Sequence, residues 1–166
     1  MDLDLPWKAS TQSAGIVSVI SLIAQSMRED SRVTVIERLN AREMLPSDLP
    51  FAPGFAAIDV SFISLAKVLP AVVACLEPAG ELLAMVKPQF ELGRERVGKG
   101  VVRDAGDRRE AILGVAEAAR GLGLAVLGFA PSGLPGPKGN IETFVWCARE
   151  GGGIDDLAAR LGEVDV

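Results

Sequence analysis

Asp59, Lys87 and Glu142 are the residues of this chain whose types and placement suit chemistry. Asp59 interrupts the apolar run FAAIDVSFI, Lys87 follows LLAMV, and Glu142 stands near the head of IETFVWCAR. A carboxylate beside an ammonium holds and orients it. It also favours the charged amine, so a lysine that takes a proton near neutral pH needs burial or a second cation to offset that effect. Taken singly, Lys87 and Glu142 suit solvated strand ends, and Asp59 suits a helix cap ahead of Ser64. Asp59 is the hardest of the three to leave as surface, because a carboxylate within an apolar run needs a partner. The chain has no histidine, which excludes Ser-His-Asp hydrolysis, Cys-His nucleophiles and histidine-based metal sites. Cys75 and Cys147 are far apart, lie in the apolar runs AVVACL and FVWCA, and read as buried free thiols of a reducing, cytoplasmic protein.

The elements that must position these groups follow from pattern. RVTVIERL, residues 32–39, alternates and is rich in β-branched residues, which predicts a strand. Residues 40–54 hold three prolines and predict a loop with at most one helical turn. FAAIDVSFI, residues 55–63, predicts a buried strand. Residues 64–80 have helical spacing of Leu65, Val68, Leu69, Val72 and Leu76, with Ser64 as cap and Pro78 and Gly80 as stop. Pro70 fits that helix without a kink only in a first turn. ELLAMV, residues 81–86, is the next strand, and a long loop runs from Lys87 to about Asp104. Residues 104–123 predict a helix, LAVLGFA a strand, residues 131–140 a Gly/Pro turn, and residues 141–149 a last strand. The tail, residues 151–166, begins with three glycines and ends in a short amphipathic patch. Residues 15–27 fit helix and strand equally, and GIVSVISLIA within them is too short to span a membrane. Asp2 and Asp4 ahead of it do not fit a signal peptide.

Alternating strands and helices predict an α/β sheet, mostly parallel. The last two strands have no helix between them and so pair antiparallel. Ligands of such sheets bind beyond the carboxyl ends of the parallel strands. Asp59 lies toward one such end and Lys87 closes the next. The last strand runs backwards, so Glu142 near its start comes to the same edge. The three groups are expected to converge there.

Four segments in order resemble one family: DVSFISL (59–65), MVKPQFELGRE (85–95), VGKGVVRD (97–104) and GPKGNIE (136–142). With ERLNAR (37–42) they are similar to the TlyA, or hemolysin A, family of FtsJ-like ribosomal RNA methyltransferases. The resemblance implies a Rossmann-like class I methyltransferase sheet over residues 27–150, preceded by an atypical segment, 1–26. It implies an S-adenosylmethionine-dependent ribose 2′-O-methyltransferase acting on ribosomal RNA. The family's catalytic tetrad is Lys-Asp-Lys-Glu, and its last three members match Asp59, Lys87 and Glu142. Lys87 is then the base for the 2′-hydroxyl, with the two carboxylates orienting it. Asn40 falls where the family meets the adenine side of the cofactor, and Asp59 borders its methionine end. Residues 1–26 carry no counterpart of the family's S4-like domain, first lysine or glycine-rich cofactor loop. The fold is therefore expected to be N-terminally truncated, with weak or lost cofactor affinity and with doubtful activity for this chain alone.

A net charge of −5 argues against a free-standing grip on nucleic acid. The basic residues of one stretch nevertheless offer phosphate contacts, namely Arg94, Arg96, Lys99 and Arg103. The competing expectation is therefore a non-catalytic α/β module that binds RNA or a partner through this region. Membrane lysis has no cationic amphipathic helix or span behind it. A sheet edge left open by a missing strand is expected to favour a homodimer or aggregation.

Overall fold

The computed structural model describes residues 16–17, 25–93 and 95–166. Strand β1 (Ile16–Val17) pairs in parallel with β2 (Val35–Ile36), and helix α1 (Gln25–Arg28) lies between them in the chain. The expected strand over 32–39 is cut to two residues. Asp30 Oδ1 accepts the Arg32 N–H in a turn at one end, and Arg38 adopts a left-handed φ of 62° at the other. The loop that follows contains the one expected turn, a 3-10 turn at Pro46–Asp48.

The main sheet has four strands, β3 (Phe55–Ile58), β4 (Glu81–Val86), β5 (Ala125–Pro135) and β6 (Ile141–Ala148), in the order β3-β4-β6-β5. β3 and β4 are parallel, and β6 runs antiparallel to both of its neighbours. Three strands thus point one way and the last reverses, as the α/β pattern predicted. β4 alternates, with Leu82, Ala84 and Val86 buried, and Trp146 of β6 donates to Glu81 at 2.9 Å. β5 outruns its expected end because pairing continues to Ile141, with a register shift between Pro131 and Pro135, which have no N–H to give.

β3 departs from expectation. It stops at Ile58 rather than at 63, and only Ile58 in it is buried; among the described residues it is the outermost strand of the four. The expected helix over 64–80 is a 3-10 turn (Leu65–Lys67) followed by α2 (Leu69–Cys75). Ser64 caps the turn by accepting from Ala66 N, and Pro70 sits in the first turn of α2, where its missing N–H costs nothing. The loop after β4 contains a short helix, α3 (Pro88–Glu91), with Pro88 at its start.

Helix α4 (Ala105–Gly121) begins at its Asp104 cap and buries Ala111, Ile112, Val115, Ala116 and Ala119 against the sheet. The tail is more than a patch. Asp156 caps α5 (Leu157–Gly162), whose Leu157 and Leu161 join the core beside α4 and β5.

Candidate active site

The carboxyl ends of β3 and β4 bring Asp59 and Lys87 into contact. Lys87 Nζ lies 2.5 Å from Asp59 Oδ1 and donates to Ser61 Oγ at 3.2 Å. The lysine side chain is 11% exposed and the aspartate 65%, so the pair stands at the mouth of the site with its amine inward. The sequence predicted a buried carboxylate; the early end of β3 frees Asp59 to face solvent instead. Lys87 is the residue ahead of α3, and Pro88 fixes the turn that follows.

A second carboxylate sets this geometry. Glu91 of α3 accepts from Ser64 Oγ at 2.6 Å and from Leu65 N at 2.9 Å, tying the loop after β4 to the loop after β3. Burial pushes its carboxyl above the ordinary range, against the pull of those two donors. Between these ties Phe62 takes a φ of 63°, a conformation bulky residues rarely adopt, and exposes 85% of its surface. Its ring packs on Phe90 with centroids 5.1 Å apart.

Glu142 comes to the same edge. Val86 pairs with Thr143, and one step further places Lys87 opposite Glu142. Glu142 is 7% exposed, its Oε1 is buried without a hydrogen-bond partner, and it makes no ion pair with Lys87 among the described residues. Its carboxylate lies over Gly136, where a Cβ would collide with it. The structure therefore joins two of the three expected residues by contact and sets the third beside them.

The remaining candidates are more scattered. Asn40 is exposed, donates to Glu43 at 3.0 Å and accepts from Arg42 N at 3.2 Å. Its neighbour Ala41 lines an apolar cavity of about 110 Å³ with Met44, Leu49, Phe51 and Ile58, and Asp59 lies on the lining too. Arg96 is held by Glu110 and Asp107. Lys99 and Arg103 are exposed, and Arg94 lies outside the described residues. Ser61, Glu91 and Asn140 were not singled out from sequence. Ser61 and Glu91 lie within the quoted DVSFISL and MVKPQFELGRE stretches, where a polar residue between apolar ones was the available signal.

The FtsJ-like methyltransferase family matches residues 10–149. The chain belongs to that family. The match takes in residues 10–26, a stretch expected from its sequence to stand apart. Among curated relatives, the 16S/23S rRNA (cytidine-2′-O)-methyltransferase TlyA of Mycobacterium tuberculosis is 46% identical over 125 residues, covering 75% of this chain and 47% of its own length. YqxC of Bacillus subtilis is 43% identical over 122 residues, 72% of this chain and 43% of its own. The chain spans less than half the length of these relatives. A crystal structure of a Lactococcus lactis protein named as a hemolysin superposes with a TM-score of 0.85 at 34% identity, covering 95% of this chain and 78% of that one. Among the described residues, no helix is long and apolar enough to cross a membrane, and no cluster of acids and thiols could hold a metal ion.

Proposed function

We propose that this chain carries the reactive sheet edge of an S-adenosylmethionine-dependent methyltransferase that modifies a ribose 2′-hydroxyl of ribosomal RNA. The observation that carries the reading is the Lys87–Asp59 contact at the carboxyl ends of two parallel strands, in a chain of this family.

The residues suit the cofactor. The apolar cavity ending at Asp59 has the size and lining to take a flat heterocycle, with Ala41 and Met44 in its wall and Asn40 one residue away. When bound, S-adenosylmethionine supplies a methyl group on a sulfonium, which a nucleophilic oxygen can attack in line. The chain's own residues do the rest. The Lys87 amine, in its uncharged form, takes the proton from the hydroxyl as its oxygen attacks, and Asp59 balances the ammonium that results. Glu142, with an oxygen still lacking a partner, is placed to orient the amine or the ribose. Holding the hydroxyl in line for attack carries much of the rate. The Phe62–Phe90 pair offers an unpaired base a stacking face beside Lys87. A ribosomal RNA substrate would have the protein act in the cytoplasm.

Calorimetric titration with S-adenosylmethionine tests this reading, together with transfer of labelled methyl to ribosomal RNA. The reading predicts submillimolar binding and label in ribose. Absence of both, with RNA binding intact, would establish a non-catalytic module instead.

A further inference from the structure

Lys99 and Arg103 line an open cleft of about 480 Å³ at the start of α4, with Arg96, Asp104 and Asp107. The cleft's acids are already engaged: Asp107 by Arg96, and Asp104 as the cap that accepts from Asp107 N at 2.9 Å. Arg96 is likewise neutralised, by Glu110 and Asp107. Lys99 and Arg103 have no acid partner among the described residues.

A third cation joins them from a distant part of the chain. Lys138 has a left-handed φ of 61° in the turn before β6, a conformation disfavoured for any residue with a Cβ. Opposite it, Gly100 has a φ of 89°, and a Cβ placed there would lie 3.3 Å from Lys138 Nζ. The left-handed φ favours glycine there, and a Cβ would press on the end of the lysine side chain. Asn140 fixes the pairing of the two segments. It is 2% exposed, accepts from Val102 N at 3.0 Å and donates to Gly100 O at 2.9 Å. Two left-handed positions and a buried amide are thus arranged to hold an exposed ammonium, with no acid partner among the described residues, against Gly100, the residue after Lys99.

We propose that Lys99, Arg103 and Lys138 bind successive phosphates of single-stranded RNA, with Lys138 as the anchor that Asn140 holds in place. The proposal rests on the reading of RNA as the substrate. It assigns the phosphate grip to Lys138 rather than to Arg96, whose charge is already met. The turn that carries Lys138 also packs Gly136 beneath Glu142, so a phosphate bound there sets the RNA backbone next to the reactive edge.

The test is fluorescence anisotropy of a labelled short oligouridylate against the full chain, between about 50 and 200 mM salt. Lys138→Asn removes the charge but suits the left-handed turn, so the fold is kept. The slope of log affinity against log salt should become shallower by about 0.7 in Lys138→Asn, the share of one phosphate on a single strand. Lys138→Arg should restore the original slope. An unchanged slope in Lys138→Asn, failure of Lys138→Arg to restore it, or no RNA binding by the unmodified chain at the lowest salt would each overturn the proposal. Methyl transfer plays no part in this measurement. Its absence would sink the enzymatic reading alone, and transfer with an unchanged Lys138→Asn slope would sink this one alone.

Discussion

Lys87 Nζ and Asp59 Oδ1 lie 2.5 Å apart although the two residues are not partners in the sheet. Ile58 pairs with Ala84, so Asp59 stands one residue beyond the last rung and Lys87 three. The lysine side chain reaches back along the neighbouring strand to close that gap. The contact is therefore a property of two strand ends and the loops that fix them, and changes in those loops should disturb it.

Gly136 is one such point. A Cβ there would collide with the Glu142 carboxylate. Gly136→Ala should keep the fold, by circular dichroism, while displacing Glu142 and lowering methyl transfer on the order of a hundredfold, as ångström-scale misplacement does. Full transfer in the variant would remove Glu142 from the reacting geometry.

Glu91 ties the two loops together while its carboxyl is raised by burial. A carboxyl that is raised in the folded state contributes stability below its ordinary range, and that contribution is lost as pH rises through the folded value. Urea unfolding should therefore show stability falling as pH climbs from the ordinary glutamate range. Glu91→Gln should flatten this decline. An equal decline in the variant would assign it to other groups.

Asn140 is buried with its amide bonded to both Gly100 and Val102. Asn140→Ala leaves the buried Val102 N–H and the half-buried Gly100 C=O unmet and should cost about 1–3 kcal/mol in urea unfolding. Trypsin should then cut faster at Lys99 and Arg103. Unchanged cleavage would mean that the loop is held by Arg108, which donates to Val102 O and Arg103 O, without help from Asn140.

Among the described residues β3 hydrogen-bonds to a strand on one side only, and six successive residues, Phe55 to Val60, line the apolar cavity. An unpaired strand edge with apolar surroundings recruits another strand. Light scattering should show a mass that rises with concentration. A monomer at all concentrations would mean that the edge is covered within the chain.

The succession of strands and helices, the reversal of the last strand and the meeting of Asp59 with Lys87 were legible because they depend on long-range rules; that β6 would slot between β4 and β5 was not read. Apolar alternation, helix spacing and the position of strand ends carry them. What was not legible depends on local backbone. β2 shrank because Arg38 turned left-handed and Asp30 captured the Arg32 N–H. β3 ended before Asp59, so a carboxylate expected in the core stands exposed. Glu91 and Asn140 looked like ordinary loop residues because their partners lie 26 to 40 positions away. Arg96 looked free for phosphate because Glu110, a turn along α4 from Asp107, could not be seen to reach it.

Methyl transfer by Lys87→Ala, measured beside calorimetric affinity for S-adenosylmethionine, bears most directly on the role of the strand-end amine. Loss of a positioned general base lowers rate by about 10²–10⁴, so transfer should fall by that factor while cofactor affinity stays nearly unchanged. Transfer at the original rate in Lys87→Ala would contradict the account.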